Sequence, residues 1–585
     1  MAVEQAVTMR GPVIGPRIAA LADRARHNVI PILACAMLLL LVGAPVAMVV
    51  LGSLRGPFDY LPFEPKTFWT IQNYIEVFTS EEFSVTFHDT GLYALGAVSV
   101  ALGFGVTIGW LVGRTDLPFR RVIFVMMLFP ILMPPVIGAI SWMLLLNPDA
   151  GYINIILRNV FWWLDAPGPI NPFTLGGMII VQGMSIAPLT YLLTVTSVTN
   201  LDPGLEEASF TSGAGFWRTM RHVTLPVLRP ALLATTIVTM IFAIEGIDVP
   251  ILLGIGAGVR VISLEAYRML NPSTGIPEWG HVLALAMFYL CIAYAMFIGY
   301  QRLTARAERF ATISGKGFRP RPLPLGRWRW VALTPVVLYL ALQVFFPFFI
   351  LAWTSLHHTY VAINAESIRT LTFDSYRALF ADPRLGDVVL NTVMVGIGSA
   401  TLVTCVTAIV AWVVVRSKSM LRIVLDLLAS SSIAVPAVIA AVALLVFYLT
   451  VPNPVYGTIW VLVLTYSYRT AVSYRLHRAT MTQIGRELEE SSLASGATPR
   501  QTLFRIVLPL MVPGLFMTWM LLFIIAAREF TIPMLFGQQD MLGPFLYYKL
   551  AQLGQATALA TLTLIFIGGG AVVLYRFGLA RARSF

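Results

Sequence analysis

Twelve apolar runs with few or no charged residues, most of them close to twenty residues or longer, punctuate this chain of 585 residues. A bilayer core of about 30 Å takes roughly 20 apolar residues per helix, so runs of this length have lipid as their natural solvent. They fall near residues 29 to 51, 92 to 113, 122 to 146, 174 to 199, 230 to 253, 281 to 300, 331 to 354, 391 to 415, 423 to 449, 457 to 468, 513 to 537 and 557 to 575. The tenth has the least definite limits, blurred at its start by Pro452, Pro454 and Gly457 and open at its end toward Thr480. Only 12% of the residues are charged, about half the ~25% typical of a water-soluble domain. In lipid a spanning backbone must satisfy its own hydrogen bonds, so the expected fold is an all-α polytopic membrane protein of about 12 transmembrane helices. The first run follows a 28-residue leader, which suits an uncleaved anchor helix better than a secretory signal.

Charge sets the direction of the spans. Lys and Arg resist translocation and collect in cytoplasmic loops. With the N-terminus inside, 30 of the 40 basic residues fall on that side, including Arg114, Arg120, Arg121, Arg218, Arg221, Arg229, Arg416 and Arg422. Both termini are therefore expected on the cytoplasmic side. The net charge of +11 is spread in short basic blocks between apolar runs, with no single basic face, so no nucleic-acid partner is expected. Cys35, Cys291 and Cys405 sit in separate apolar stretches, which indicates neither a disulfide framework nor a metal site.

The chain also repeats itself. Thr90, Arg114, Arg120 and Pro134 recur as Thr392, Arg416, Arg422 and Pro436, each 302 positions on. After the next outer loop the offset becomes 283, relating Glu207, Gly213, Leu225, Pro226, Pro230 and Pro250 to Glu490, Gly496, Leu508, Pro509, Pro513 and Pro533. The change of offset places an insertion in the outer loop at 147 to 173. Two halves of six spans entering from the same side make parallel repeats with a path expected between them. The expected organisation is a cytoplasmic segment 1–28, an anchor helix and outer loop 29–85, a first transmembrane domain 86–303, a basic linker 304–330, a seventh helix and outer loop 331–386, and a second transmembrane domain 387–580. Gly315, Gly317, Pro320, Pro322 and Pro324 mark the linker.

One motif occurs twice, between spans four and five and between spans ten and eleven. The first copy reads Glu207-Ala208-Ser209, then Gly213, then Val223-Thr224-Leu225-Pro226; the second reads Glu490-Ser491-Ser492, then Gly496, then Ile506-Val507-Leu508-Pro509. Both loops lie inside by the charge count. The pattern predicts two short helices broken at the glycine, whose freedom at positive φ suits a helix end. Thr498 and Pro499 suit the N-cap and first position of the second helix, and Pro509 is expected to stop it near Leu508. Such an elbow offers a firm surface to a partner.

This twice-repeated pattern resembles the E-A-A loop of binding-protein-dependent ABC importer permeases, and the likeness covers both halves, nearly the whole chain. The resemblance implies a type I importer permease fold whose elbows dock on two copies of an ATPase subunit, with Glu207, Ala208, Gly213, Leu225, Pro226, Glu490, Ser491, Gly496, Leu508 and Pro509 as the coupling residues. ATP and Mg would be bound by those subunits, and solute would arrive on a periplasmic binding protein. Ser209, Ser491 and Ser492 depart from the alanines of the family pattern, a change that close helix packing tolerates. Fusion of two units, with Gly113-Arg114-Thr115-Asp116-Leu117-Pro118 after the second span, looks most like the ferric-iron and thiamine branch. Phosphonate, polyamine, sulfate and molybdate relatives share much of this pattern, so ferric iron is the first expectation and the others stay open.

Ionisable residues inside apolar spans are costly and usually face a bundle interior, a partner or a water-filled path. Glu245 and Asp248 lie in span five; Arg528 and Glu529 lie in span eleven. The 283 offset relates Glu245 to Arg528, so opposite charges are expected near each other, lining or gating a path or forming a structural ion pair. Pro130, Pro134, Pro135 and Pro436 are expected to kink or unwind their spans, as packing features or as part of the same path.

No phosphate-binding loop occurs, since Gly315-Lys316-Gly317 lacks the spacing and the hydroxyl, and no catalytic motif or metal-ligand cluster is found. The chain is therefore not expected to be an enzyme, with ATP hydrolysed on separate subunits. A proton-coupled secondary transporter also has six plus six spans and a basic central loop, yet lacks the paired elbows.

Overall fold

The computed structural model describes residues 29–161, 163, 168–310, 322–417 and 419–582. The expected segment 1–28 and most of the linker, with Gly315, Lys316, Gly317 and Pro320, lie outside the described residues. Apart from a two-residue antiparallel ladder pairing Arg55 with Trp69 and Gly56 with Phe68, the regular structure among the described residues is helical. Among the described residues, nine helices are long and apolar enough to cross a membrane, and up to twelve spans result if each of three bent pairs is one span.

Two of the bent pairs lie in spans whose prolines were expected to kink or unwind them. Run three is two helices, Arg120–Leu132 and Pro135–Leu145, meeting at 98°, and run nine is Leu421–Ala434 and Ala437–Thr450, meeting at 111°. Pro130 sits within a helix, whereas the breaks fall at Pro134 and Pro436, where no N–H is available to carry the helix on. Span five was expected to reach 253, but its helix ends at Glu245, and Pro250–Ala257 with Ile262–Leu270 forms a separate pair bent by 83°. Gly246, in extended conformation, ends the helix there. The tenth run resolves into Trp460–Tyr466 and Ala471–Gln483, separated at Ser467–Thr470. Its counterpart in the first half, Leu175–Thr199, is one helix.

The chain divides into two compact units. Of the described residues, one takes those within 45–398, 434–466 and 523–585, and the other takes those within 1–44, 399–433 and 467–522. In the first, Glu81–Arg114 packs along Leu175–Thr199 through small residues. A Cβ on Gly105 would lie 2.8 Å from the Ala187 carbonyl, and one on Gly183 would lie 2.7 Å from that of Ala97. Close backbone approach replaces the hydrophobic drive that helices lack in lipid. Thr90 and Thr392, matched by the repeat, do one job twice: each hydroxyl accepts a backbone N–H at 3.0 Å, from Ile262 and Leu542, at the start of a short helix. In the second unit, Leu38, Leu41 and Val42 of the first helix bury against Val406, Val410, Leu425 and Tyr474.

Four widened turns share one cause. π turns at Leu39–Gly43, Met220–Thr224, Ala341–Phe345 and Leu503–Val507 each stand just before Pro45, Pro226, Pro347 and Pro509 respectively. A proline ring collides with the carbonyl four residues earlier in an α-helix. Bonding five residues back, as Leu225 N–H does to Met220 O and Leu508 N–H to Leu503 O, relieves the crowding.

Candidate functional site

The first elbow starts at Asp202, whose Oδ1 caps Gly204 N–H at 2.8 Å ahead of helix Pro203–Thr211. That helix ends at Gly213 with φ +81°, where Ala214 N–H reaches back to Ser209 O at 3.1 Å. The second elbow, 283 positions on, repeats the glycine turn, with Gly485 where Asp202 caps the first. Helix Arg486–Ala494 ends at Gly496 with φ +86°, Ala497 N–H donates to Ser492 O at 3.1 Å, and Thr498 and Gln501 form a capping box ahead of Pro499.

The expected stop at Leu-Pro is overturned. The outgoing limb runs through its π turn into the membrane helix, giving continuous helices over Phe216–Glu245 and Pro499–Ala527. Pro226 and Pro509 widen a turn instead of ending a helix, so each elbow joins its span without a hinge loop.

Two of the three serines that depart from the alanine pattern, Ser209 and Ser492, tie the two limbs together. Ser209 Oγ lies 2.8 Å from Thr219 Oγ1, and Ser492 Oγ lies 2.9 Å from Thr502 Oγ1.

Beneath each elbow sits an ion pair. Arg114 donates from Nε to Glu206 Oε2 at 2.8 Å, and Thr224 Oγ1 donates to Glu206 Oε1 at 2.7 Å, all three residues being buried. Arg416 Nε donates to Glu489 Oε1 at 2.6 Å and Nη2 to Ile484 O at 2.7 Å. The residues that anchor the elbows are therefore Glu206 and Glu489, one position before the acids of the sequence motif. Glu207, Ala208, Glu490 and Ser491 are exposed. Arg114 and Arg416 match at one offset and Glu206 and Glu489 at the other, but so do Glu207 and Glu490, so the repeat alone does not choose between the adjacent acids. Trp217, 80% exposed at the first elbow, has Arg500 at the matching position of the second.

The chain leaving the linker is tied to the same arginine. Leu323 N–H donates to Arg114 O at 2.8 Å, and Asp116 Oδ1 accepts Leu325 N–H at 2.7 Å.

The four intramembrane ionisable residues come together. Asp248 lies within electrostatic reach of Glu529, Arg528 and Glu245. It is 9% exposed and its Oδ1 has no hydrogen-bond partner. Glu245 Oε1 accepts Ala437 N–H at 2.9 Å, while Arg528 Nη1 donates to Ile131 O and Met133 O. Glu529 Oε1 accepts Thr531 N–H at 3.2 Å. The buried hydroxyls of Tyr93 and Tyr289, also without hydrogen-bond partners, stand near Asp248 and Glu245 respectively. The bends at Pro134 and Pro436 thus meet the charged cluster.

The family described as binding-protein-dependent transport system inner membrane component matches residues 101–309 and 403–579. The chain is 25% identical over 399 residues to the ferric transport system permease protein FbpB of Actinobacillus pleuropneumoniae, covering 66% of this chain and 55% of that one. It is 25% identical to the putative ferric transport system permease protein FbpB 1 of Haemophilus influenzae, covering 72% of this chain and 65% of the relative. A second Haemophilus influenzae protein, Fe(3+)-transport system permease protein FbpB 2, is 22% identical, with 91% and 96% covered. The chain therefore spans less than two thirds of the length of the first two relatives and nearly all of the third.

Proposed function

The chain belongs to the family of binding-protein-dependent transport system inner membrane components, and on that premise we propose that it is the permease of an ATP-driven importer that moves ferric iron across a bacterial inner membrane. The observation that carries the reading is the duplicated elbow, each copy pinned by a basic residue to a glutamate and continuous with a membrane helix. An elbow built in this way moves as a lever with its span, which is what transmission from a separate motor requires.

In this reading both termini are cytoplasmic, and two ATPase subunits, which bind ATP and Mg, dock on the exposed elbow residues around Glu207, Ala208, Gly213, Glu490, Ser491 and Gly496. Leu225, Pro226, Leu508 and Pro509 carry the motion into the spans. A periplasmic binding protein presents the solute on the other face. Closure of the ATPase dimer and docking of the loaded binding protein favour the same conformation, which couples the two sites. Glu245, Asp248, Arg528 and Glu529 line or gate the path. Three carboxylates against one guanidinium suit a hard cation better than phosphonate, sulfate or molybdate, and the names of the FbpB relatives agree with ferric iron.

The test is uptake of radioactive ferric iron into proteoliposomes containing the chain with the ATPase and binding protein that co-purify with it. Uptake that needs both partners and ATP is expected. Full uptake by the chain alone, driven by a proton gradient, would replace this reading with a secondary transporter.

A further inference from the structure

We propose that Glu245 and Arg528 are reciprocal latches, each holding the bent span of the opposite half at its break, so that the path opens only when both release. The proposal rests on the transport reading and assigns two positioning residues within it.

The repeat relates Glu245 to Arg528 at an offset of 283, and relates the bend at Pro134-Pro135 to that at Pro436-Ala437 at an offset of 302. Glu245, the last residue of helix Leu225–Glu245 in the first half, accepts Ala437 N–H at 2.9 Å in the second. Arg528, just past helix Leu508–Ala527 in the second half, donates to Ile131 O and Met133 O in the first. Equivalent positions therefore reach the equivalent bend of the other half.

The opposite charges follow from one substitution at the bend. Ala437 opens helix Ala437–Thr450 with an N–H that has no intrahelical acceptor, and no side chain at Pro436 caps it. A carboxylate supplies the acceptor and suits the positive end of the helix dipole. Pro135 occupies the corresponding position in the first half and has no N–H. The carbonyl four residues earlier, that of Ile131, is thereby left without its helical donor. A guanidinium supplies the donor and suits the negative end of helix Arg120–Leu132. Proline with arginine and alanine with glutamate are thus two matched solutions to the same joint. Each contact crosses between halves, so motion of one half against the other must break it.

The experiment measures ATPase activity of the reconstituted complex with and without its binding protein, together with the melting temperature of each variant. Glu245→Leu and Arg528→Leu are each expected to raise binding-protein-independent ATPase roughly fivefold or more, the scale of an ordinary coupling, while the complex still assembles. Glu245→Asp restores part of the control. The simple exchange Glu245→Arg with Arg528→Glu is expected to stay uncoupled, because each new charge meets the wrong helix end. Arg528→Glu with Pro135→Ala is expected to recover control that Arg528→Glu alone lacks, since the new N–H gives the carboxylate a donor. Recovery by the simple exchange would overturn the proposal in favour of a mutual ion pair, and unchanged basal ATPase in the two leucine variants would overturn it outright. A wild-type complex with neither binding-protein stimulation nor uptake would remove the transport reading as well, which separates the two failures.

Discussion

Arg114 and Glu206 are the most deeply buried ion pair among the described residues, with side chains 2% and 3% exposed. Their counterparts, Arg416 and Glu489, are 11% and 20% exposed, and Val507 stands where Thr224 hydrogen-bonds Glu206 in the first elbow. The two elbows share a plan and differ in how firmly it is fixed.

Removing one member of a buried pair leaves an uncompensated charge, at a cost of about 3 to 5 kcal/mol. Arg114→Ala is accordingly expected to disrupt the first elbow and abolish co-purification of the ATPase. Arg416→Ala, in a wetter site, should weaken it less. Glu207→Gln, at an exposed position, should leave the fold and melting temperature unchanged. Pull-down of the ATPase with each variant, set beside its melting temperature, checks the order.

Much of this architecture is legible in sequence because lipid imposes a simple rule on length and hydropathy, and because duplication repeats the elbow glycines, the Leu-Pro pairs, Arg114 and Pro134 at one of two offsets. The glycine break and the Thr498 cap are legible from backbone and capping preferences, and charges inside apolar spans single out Glu245, Asp248, Arg528 and Glu529. The π turns are less legible, since Leu-Pro reads as a stop when only the α-helix is considered. Glu206 was hidden by its neighbour: adjacent acids on a helix point about 100° apart, and only packing decides which one meets Arg114.

Gly213 and Gly496 test the elbow's backbone independently of its packing. Both hold positive φ, and a Cβ on either would meet nothing within 4 Å, so substitution acts through conformation alone. A β-branched residue in the left-handed region costs roughly 1 to 2 kcal/mol or more. Gly496→Val is expected to insert normally yet lose ATP-dependent uptake, while Gly496→Asn, tolerant of that region, keeps most of it. Full uptake by the valine variant would show that the break is not needed for coupling.

Outside the spans, Asp382 gives a pH signature. Lys549 Nζ lies 2.6 Å from Asp382 Oδ2, and this contact holds the Asp382 carboxyl below its usual range. A folded-state pKa below the unfolded one contributes stability above the unfolded value, lost as pH falls through the folded value. The melting temperature should therefore fall on acidification below about pH 4, and Asp382→Asn should flatten that part of the curve.

Trp217 offers a way to separate docking from folding. It is 80% exposed at the tip of the first elbow, with Phe216 beside it at a ring distance of 5.3 Å, so its removal leaves no cavity in the chain itself. An exposed tryptophan is a common anchor of a protein interface, and loss of such an anchor typically costs about 2 kcal/mol or more, roughly thirtyfold in Kd. Trp217→Ala is expected to weaken ATPase binding on that scale while the melting temperature of the isolated chain stays unchanged. Arg500→Ala, at the matching position of the second elbow, should cost less, because a rim charge contributes little to affinity and more to association rate. Titration of the purified ATPase against each variant in nanodiscs reads both values. Equal, unaltered Kd for Trp217→Ala would place the docking surface elsewhere on the chain.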